Sequence, residues 1–151
     1  MEKKLSNKYP IDQCILIFFA FFTNYYFGSL GVLPQDTFAY FDTGYRVLNG
    51  SVPFKDYWTV SGPFLDYLQA VLFYLFGINW MSYILSGSLL NVLITLILYH
   101  VFAKYKLSRV KNFFYCFCFS ILANPSMGSP FTDHFSSFFS LGAILLFLLS
   151  I

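Results

Sequence analysis

Two carboxylates, Asp36 and Asp133, stand where chemistry could be done at a membrane face. Each lies just past a proline-containing break, at the outer end of a long apolar run. A carboxylate held there can take a proton from a hydroxyl or help bind a divalent metal ion. The same two residues would also serve as helix caps at a wet interface. His134 could assist Asp133 or be an interfacial polar side chain. Arg46 and Lys55 are cations in the same region and suit phosphate oxygens. The alternative for both is a solvated ion pair with Asp42 or Asp56. Tyr57 and Trp58 could stack on a sugar ring or sit in an aromatic belt at the lipid surface.

The stretch from Pro34 to Gly77 must position most of these groups. It holds Asp36, Asp42, Asp56 and Asp66, four of the seven acidic residues. Phe38, Phe41, Tyr45 and Leu48 recur at helical steps, and Gly50 fits the stop. That pattern predicts a short amphipathic helix lying in the interface. Asp42 and Arg46, four apart, can pair on its surface for roughly 0.2–0.5 kcal/mol. Residues 51–63 read as a loop punctuated by Pro53, Gly62 and Pro63. Ser61 is the expected cap of the next helix, with Pro63 in its first turn. That helix, carrying Asp66 and Gln69, runs to about Phe76, with Gly77 closing it. At about 14 residues, or roughly 21 Å, it is too short to cross a bilayer. It reads as a second juxtamembrane or half-inserted helix.

Composition sets the class. The chain has 151 residues, 58% hydrophobic and 11% charged, against about 25% charged in soluble domains. An all-α membrane protein follows, a polytopic helical bundle with amphipathic juxtamembrane helices in its first external loop. The net charge of +2 gives no case for nucleic acid. No charged residue occurs from Gln13 to Gln35, a run longer than the ~20 residues a span needs. Its length and the lack of a small-residue cleavage site argue for a retained span, not a signal peptide. Spans are expected at about 13–33, 79–103, 108–124 and 135–151, with an external loop at 34–78. The chain stops inside the fourth, so it is expected to be the N-terminal part of a larger domain and inactive alone. Cys14, Cys116 and Cys118 sit in apolar runs without a zinc-like set and read as small filler.

Charge gives orientation. Seven of nine basic residues, Lys3, Lys4, Lys8, Lys104, Lys106, Arg109 and Lys111, flank the inner ends. Five of seven acids, Asp36, Asp42, Asp56, Asp66 and Asp133, fall on the opposite side. The positive-inside rule then puts the N-terminus in the cytoplasm and the acidic loops outside. A multi-pass protein of a bacterial inner membrane is expected.

The succession Asp36, then Gly50-x-Val52-Pro53-Phe54-Lys55-Asp56-Tyr57-Trp58, then Gly62-Pro63-Phe64-Leu65, then Leu75-Phe76-Gly77, resembles the first external loop of GT-C membrane glycosyltransferases. Protein O-mannosyltransferases and lipid A aminoarabinose transferases belong to that group. Thr132-Asp133-His134 looks like their second acidic site. The resemblance implies sugar transfer from a polyprenyl phosphate carrier to a lipid, glycan or protein acceptor on the outer face. It implies Asp36 as base on the acceptor hydroxyl and Asp133 as second-site acid. Arg46, Lys55, Asp56, Tyr57 and His134 would then face substrate. Two departures leave the substrate and any metal open: Thr37 stands where the family often has Glu, and Ser61-Gly62 precede the loop proline. A transporter subunit is the competing reading, but it wants charges within the spans, and none lies well inside the first three. A non-catalytic scaffold would tolerate neutral residues at Asp36 and Asp133.

Overall fold

The computed structural model describes residues 10–30, 37–123 and 132–151. The described residues form α1 Pro10–Ser29, α2 Thr37–Leu48, α3 Pro63–Phe76, α4 Trp80–Lys104, α5 Arg109–Leu122 and α6 Thr132–Ser150, with no strand among them. The all-helical expectation holds. Both short loop helices form, and Gly50 follows the end of α2 as its position predicts.

α4 is the pivot. Its 25 residues give a rod of roughly 38 Å, and α1, α3, α5 and α6 all pack on it. Asn79 starts it by accepting a 2.8 Å bond from the Ser82 N–H through its side chain, which satisfies an otherwise orphan donor. α4 and α6 are long and apolar enough to cross a membrane. α1 has 20 residues. α5 has 14, roughly 21 Å, short of a ~30 Å hydrocarbon layer.

Small and polar side chains line the α1–α4–α5 seam. α1 buries Asp12, Leu16, Ala20, Asn24 and Gly28, one residue in four. α5 buries Asn112, Cys116 and Ser120 at the same step. The Asn91 amide of α4 donates to the Ala20 carbonyl at 3.0 Å and to the Ser120 carbonyl at 2.9 Å, so one side chain joins three helices. Asn24 donates to Ser88 Oγ at 3.2 Å. Meanwhile Ile15, Phe18, Phe22, Leu89, Leu93, Phe114, Ile144, Leu146 and Phe147 are exposed. Buried polar groups thus share the interior with an apolar core around Phe73, Tyr83, Ile94 and Phe135, while large apolar groups also face outward. Small residues with interhelical hydrogen bonds are what helices use where lipid removes the hydrophobic drive to associate. Cys116 is buried and approaches the Asn112 side-chain oxygen at 3.4 Å, as its reading as filler anticipates.

A clamp closes one end of the seam. Arg109 donates twice to Asp12, from Nε and from a terminal nitrogen, both at 2.8 Å. Asp12 is buried. The Arg109 hydrogen bonds and charge hold its carboxyl below the ordinary carboxylate range against the opposing effect of burial. Arg109→Leu would leave that carboxylate without its cation. The expected loss is about 1.5–3 kcal/mol, the scale of hydrogen bonds to a charged group. The pH dependence has a definite sign. The folded pKa is depressed, so the contribution is complete above about pH 4, near the unfolded value. It fades as pH falls through the folded value. Thermal unfolding in detergent should therefore separate wild type from Arg109→Leu at pH 7 and bring them together in strong acid. A gap unchanged by acid would mean that the pair contributes nothing through charge.

Candidate functional site

The loop helices fit each other because α2 has a glycine at the crossing. A Cβ placed on Gly44 would lie 2.7 Å from Gln69 Cγ and 2.8 Å from Gln69 Cβ. α2 therefore lies directly on α3. Phe41 fixes the pair from the side, with its ring centroid 4.8 Å from Phe73 and 5.5 Å from Tyr83 of α4.

Between the helices, residues 52–57 close into a tight turn. The Asp56 N–H donates to the Val52 carbonyl at 2.9 Å, and the Val52 N–H donates back to Asp56 Oδ2 at 2.8 Å. The Phe54 N–H reaches the Tyr57 carbonyl at 2.9 Å. Phe54 sits at φ 64°, a left-handed conformation costing a residue with a Cβ about 1–3 kcal/mol. Its edge contact with Trp58, centroids 5.4 Å apart, helps retain it. Trp58 itself is 80% exposed.

α3 does not begin as expected. The cap position belongs to Gly62 at φ 83°, not to Ser61, and no side chain caps the helix. That backbone conformation suits glycine and penalises serine. Thr59 supports the corner instead, accepting from the Gly62 N–H at 3.2 Å.

The turn is tied to both helices through Tyr57. Its hydroxyl donates to Asp66 Oδ2 at 2.9 Å. The Arg46 guanidinium carbon lies 5.8 Å from the centroid of its ring, within cation–π range. Burial and then the Asp66 carboxylate push the Tyr57 phenol well above its usual value. Arg46 is exposed and pairs with Asp42 at 2.6 Å, as their spacing predicts, and that bond strengthens its hold on its proton. Asp66 and Gln69 are completely buried. The second Asp66 oxygen and both polar atoms of the Gln69 carboxamide have no hydrogen-bond partner among the described residues.

Of the candidate residues, Asp36 lies outside the described residues. Thr37, which follows it, opens α2. Asp133 is exposed in the first turn of α6, and His134 beside it is half-buried. The next residue, Phe135, packs on Tyr40 of α2 at 5.3 Å between centroids, and Phe139 packs on Phe64 of α3 at 5.4 Å. The turns that carry the second acid thus touch the loop helices through one ring contact each, while α6 packs along α4. Lys55 is exposed on the turn and forms no ion pair with a described residue. Its neighbour Asp56 spends one oxygen on closing that turn. No set of three His, Cys, Asp or Glu side chains that could hold a metal gathers among the described residues.

Sequence reasoning missed Asp66 and Gln69 as members of this site. A signal was present, because they stand three apart in an otherwise apolar helix, a spacing that puts both on one face. No family model matches the sequence, and no curated protein or solved structure gives a significant match.

Proposed function

We propose that the chain belongs to a multi-pass membrane glycosyltransferase of the GT-C type and carries the outer-face part of its site. The observation that carries this reading is a pair of ring contacts, Tyr40–Phe135 and Phe64–Phe139, by which the first turns of α6 touch α2 and α3. These contacts put the helix turns that follow Asp133 beside α2 and α3, whose neighbouring turn carries Lys55. The two long apolar helices, the outward-facing apolar side chains and the hydrogen bonds between helices support a lipid setting.

The reaction is a displacement at the anomeric carbon of a polyprenyl-phosphate sugar. An acceptor hydroxyl attacks that carbon, and Asp36 takes the hydroxyl proton. The bond between the anomeric carbon and the phosphate oxygen breaks, and polyprenyl phosphate leaves with the electron pair. Arg46 and Lys55 meet the phosphate charge, where guanidinium and ammonium stabilise a leaving anion. Asp133 orients the acceptor, with His134 at its side. Tyr57 backs Arg46, and Asp56 keeps Lys55 on a fixed turn.

The activity is tested by giving the full-length protein, in native membranes, a polyprenyl-phosphate sugar labelled in the sugar. Label should pass to a lipid, glycan or protein acceptor. Label that stays on the polyprenyl phosphate, with the protein present and folded, would favour a scaffold. Orientation has its own test. A cysteine introduced at Ser51 should react with an impermeant thiol reagent from the outer face, and one introduced at Ser108 should not. The opposite pattern would refute the cytoplasmic N-terminus.

A further inference from the structure

α3 is apolar along its buried face except at Asp66 and Gln69. A carboxylate with no solvent exposure is costly to bury, and an apolar side chain of similar volume would serve packing as well or better. Packing therefore does not account for Asp66. What it does in the structure is accept the Tyr57 hydroxyl at 2.9 Å. Tyr57 comes from the turn that carries Lys55, and its ring lies under Arg46. Arg46 is held from its other side by Asp42 at 2.6 Å. A chain of contacts thus runs from Asp66 of α3, through Tyr57 of the turn that carries Lys55, to Arg46 and Asp42 of α2.

We propose that Asp66 is a positioning residue: through the Tyr57 hydroxyl it latches the 52–57 turn to α3 and so sets Lys55 and Arg46 at the donor phosphate. The role in donor binding rests on the functional reading above; the latch itself does not. Asp66 touches no substrate. It fixes in advance where two flexible cations stand, so less ordering remains to be done when the anion arrives. Gln69, one turn along the same buried face, lies under Gly44 and keeps α2 against the helix that carries the latch.

Two variants test this in the full-length protein. Tyr57→Phe keeps the ring under Arg46 and removes only the hydroxyl. Asp66→Leu removes the acceptor and leaves an apolar core of similar volume. Asp66→Leu should keep the wild-type melting temperature, because replacing a buried carboxylate by an apolar group is neutral or stabilising. Tyr57→Phe, which leaves the buried carboxylate without its donor, should melt lower. Trypsin, cutting after the exposed Lys55, should nick both faster than wild type, while cleavage elsewhere is unchanged. With a polyprenyl-phosphate sugar, KM should rise about tenfold and kcat should hold, the size expected for losing one hydrogen bond to a charged group. The double variant should be no worse than either single one, since both remove the same bond. Unchanged nicking in both variants would overturn the latch. Faster nicking with unchanged KM would overturn the positioning role. A large fall in the melting temperature of Asp66→Leu with proportionate loss of kcat would make Asp66 a purely structural residue. Absence of transfer by wild type would sink the glycosyltransferase reading alone, because the nicking rates still decide the latch.

Discussion

Asp36→Asn is expected to lower sugar transfer by about 10²–10⁴-fold in the full-length protein while leaving it folded. A sugar or protein hydroxyl is a poor nucleophile until its proton is drawn off during attack, and a positioned carboxylate does this. Asparagine keeps the shape. It can still accept a backbone N–H at the start of a helix, so a capping role would survive the change. It cannot accept the proton. Asp133→Asn should cost less, since a group that orients the acceptor is easier to replace than the base. Initial rates at equal expression, wild type against each variant, measure the effect. If Asp36→Asn works at the wild-type rate, Asp36 is a cap and the base lies elsewhere.

Gly44→Leu is expected to be the most damaging change in the loop helices. The first added carbon alone would stand 2.7–2.8 Å from two carbons of Gln69, well inside contact distance. Neither is the free end of a flexible chain, and Gln69 is itself fully buried. α2 and α3 must separate, with a cost at or above the usual ~1–3 kcal/mol of overpacking. Leucine is a better helix former than glycine by about 0.5–1 kcal/mol, which does not offset the clash. The melting temperature should fall, and nicking after Lys55 should speed up as the Tyr57–Asp66 bond is pulled apart. Shortening the partner, as in Gly44→Leu with Gln69→Ala, should recover part of the loss. A melting temperature equal to wild type in Gly44→Leu would mean that the helices do not cross so closely.

Much of this architecture was readable from spacing. Phe38, Phe41, Tyr45 and Leu48 predicted α2, and Asp42 with Arg46 formed the pair their interval implied. Gly77 ends α3 as expected, its N–H bonding back to Phe73. What spacing did not reveal depends on distant partners. Asp12 looks like one more charge flanking a span. It is instead drawn into the bundle by Arg109, 97 positions away, and by Tyr99. Nothing local to residue 12 announces either. Asp66 looks like an interfacial acid on a short amphipathic helix. Its burial follows from α2 lying over it, which in turn depends on one glycine twenty-two positions earlier. Ser61 was the natural cap by residue type, but the backbone enters α3 with a positive φ at Gly62, and that geometry decides which residue takes the position. Asp56 resembles a substrate ligand by motif. Four residues back it finds the Val52 N–H, and the turn it closes carries Lys55.

The most direct test of the account is the fate of the donor in a defined system. Purified full-length protein in proteoliposomes is supplied with a polyprenyl-phosphate sugar and an acceptor fraction from the same cells, and free polyprenyl phosphate is counted over time. Release in step with glycosylated acceptor is expected for wild type, and release near background for Asp36→Asn at the same protein density. Donor left intact by correctly folded, correctly oriented wild-type protein would contradict that expectation.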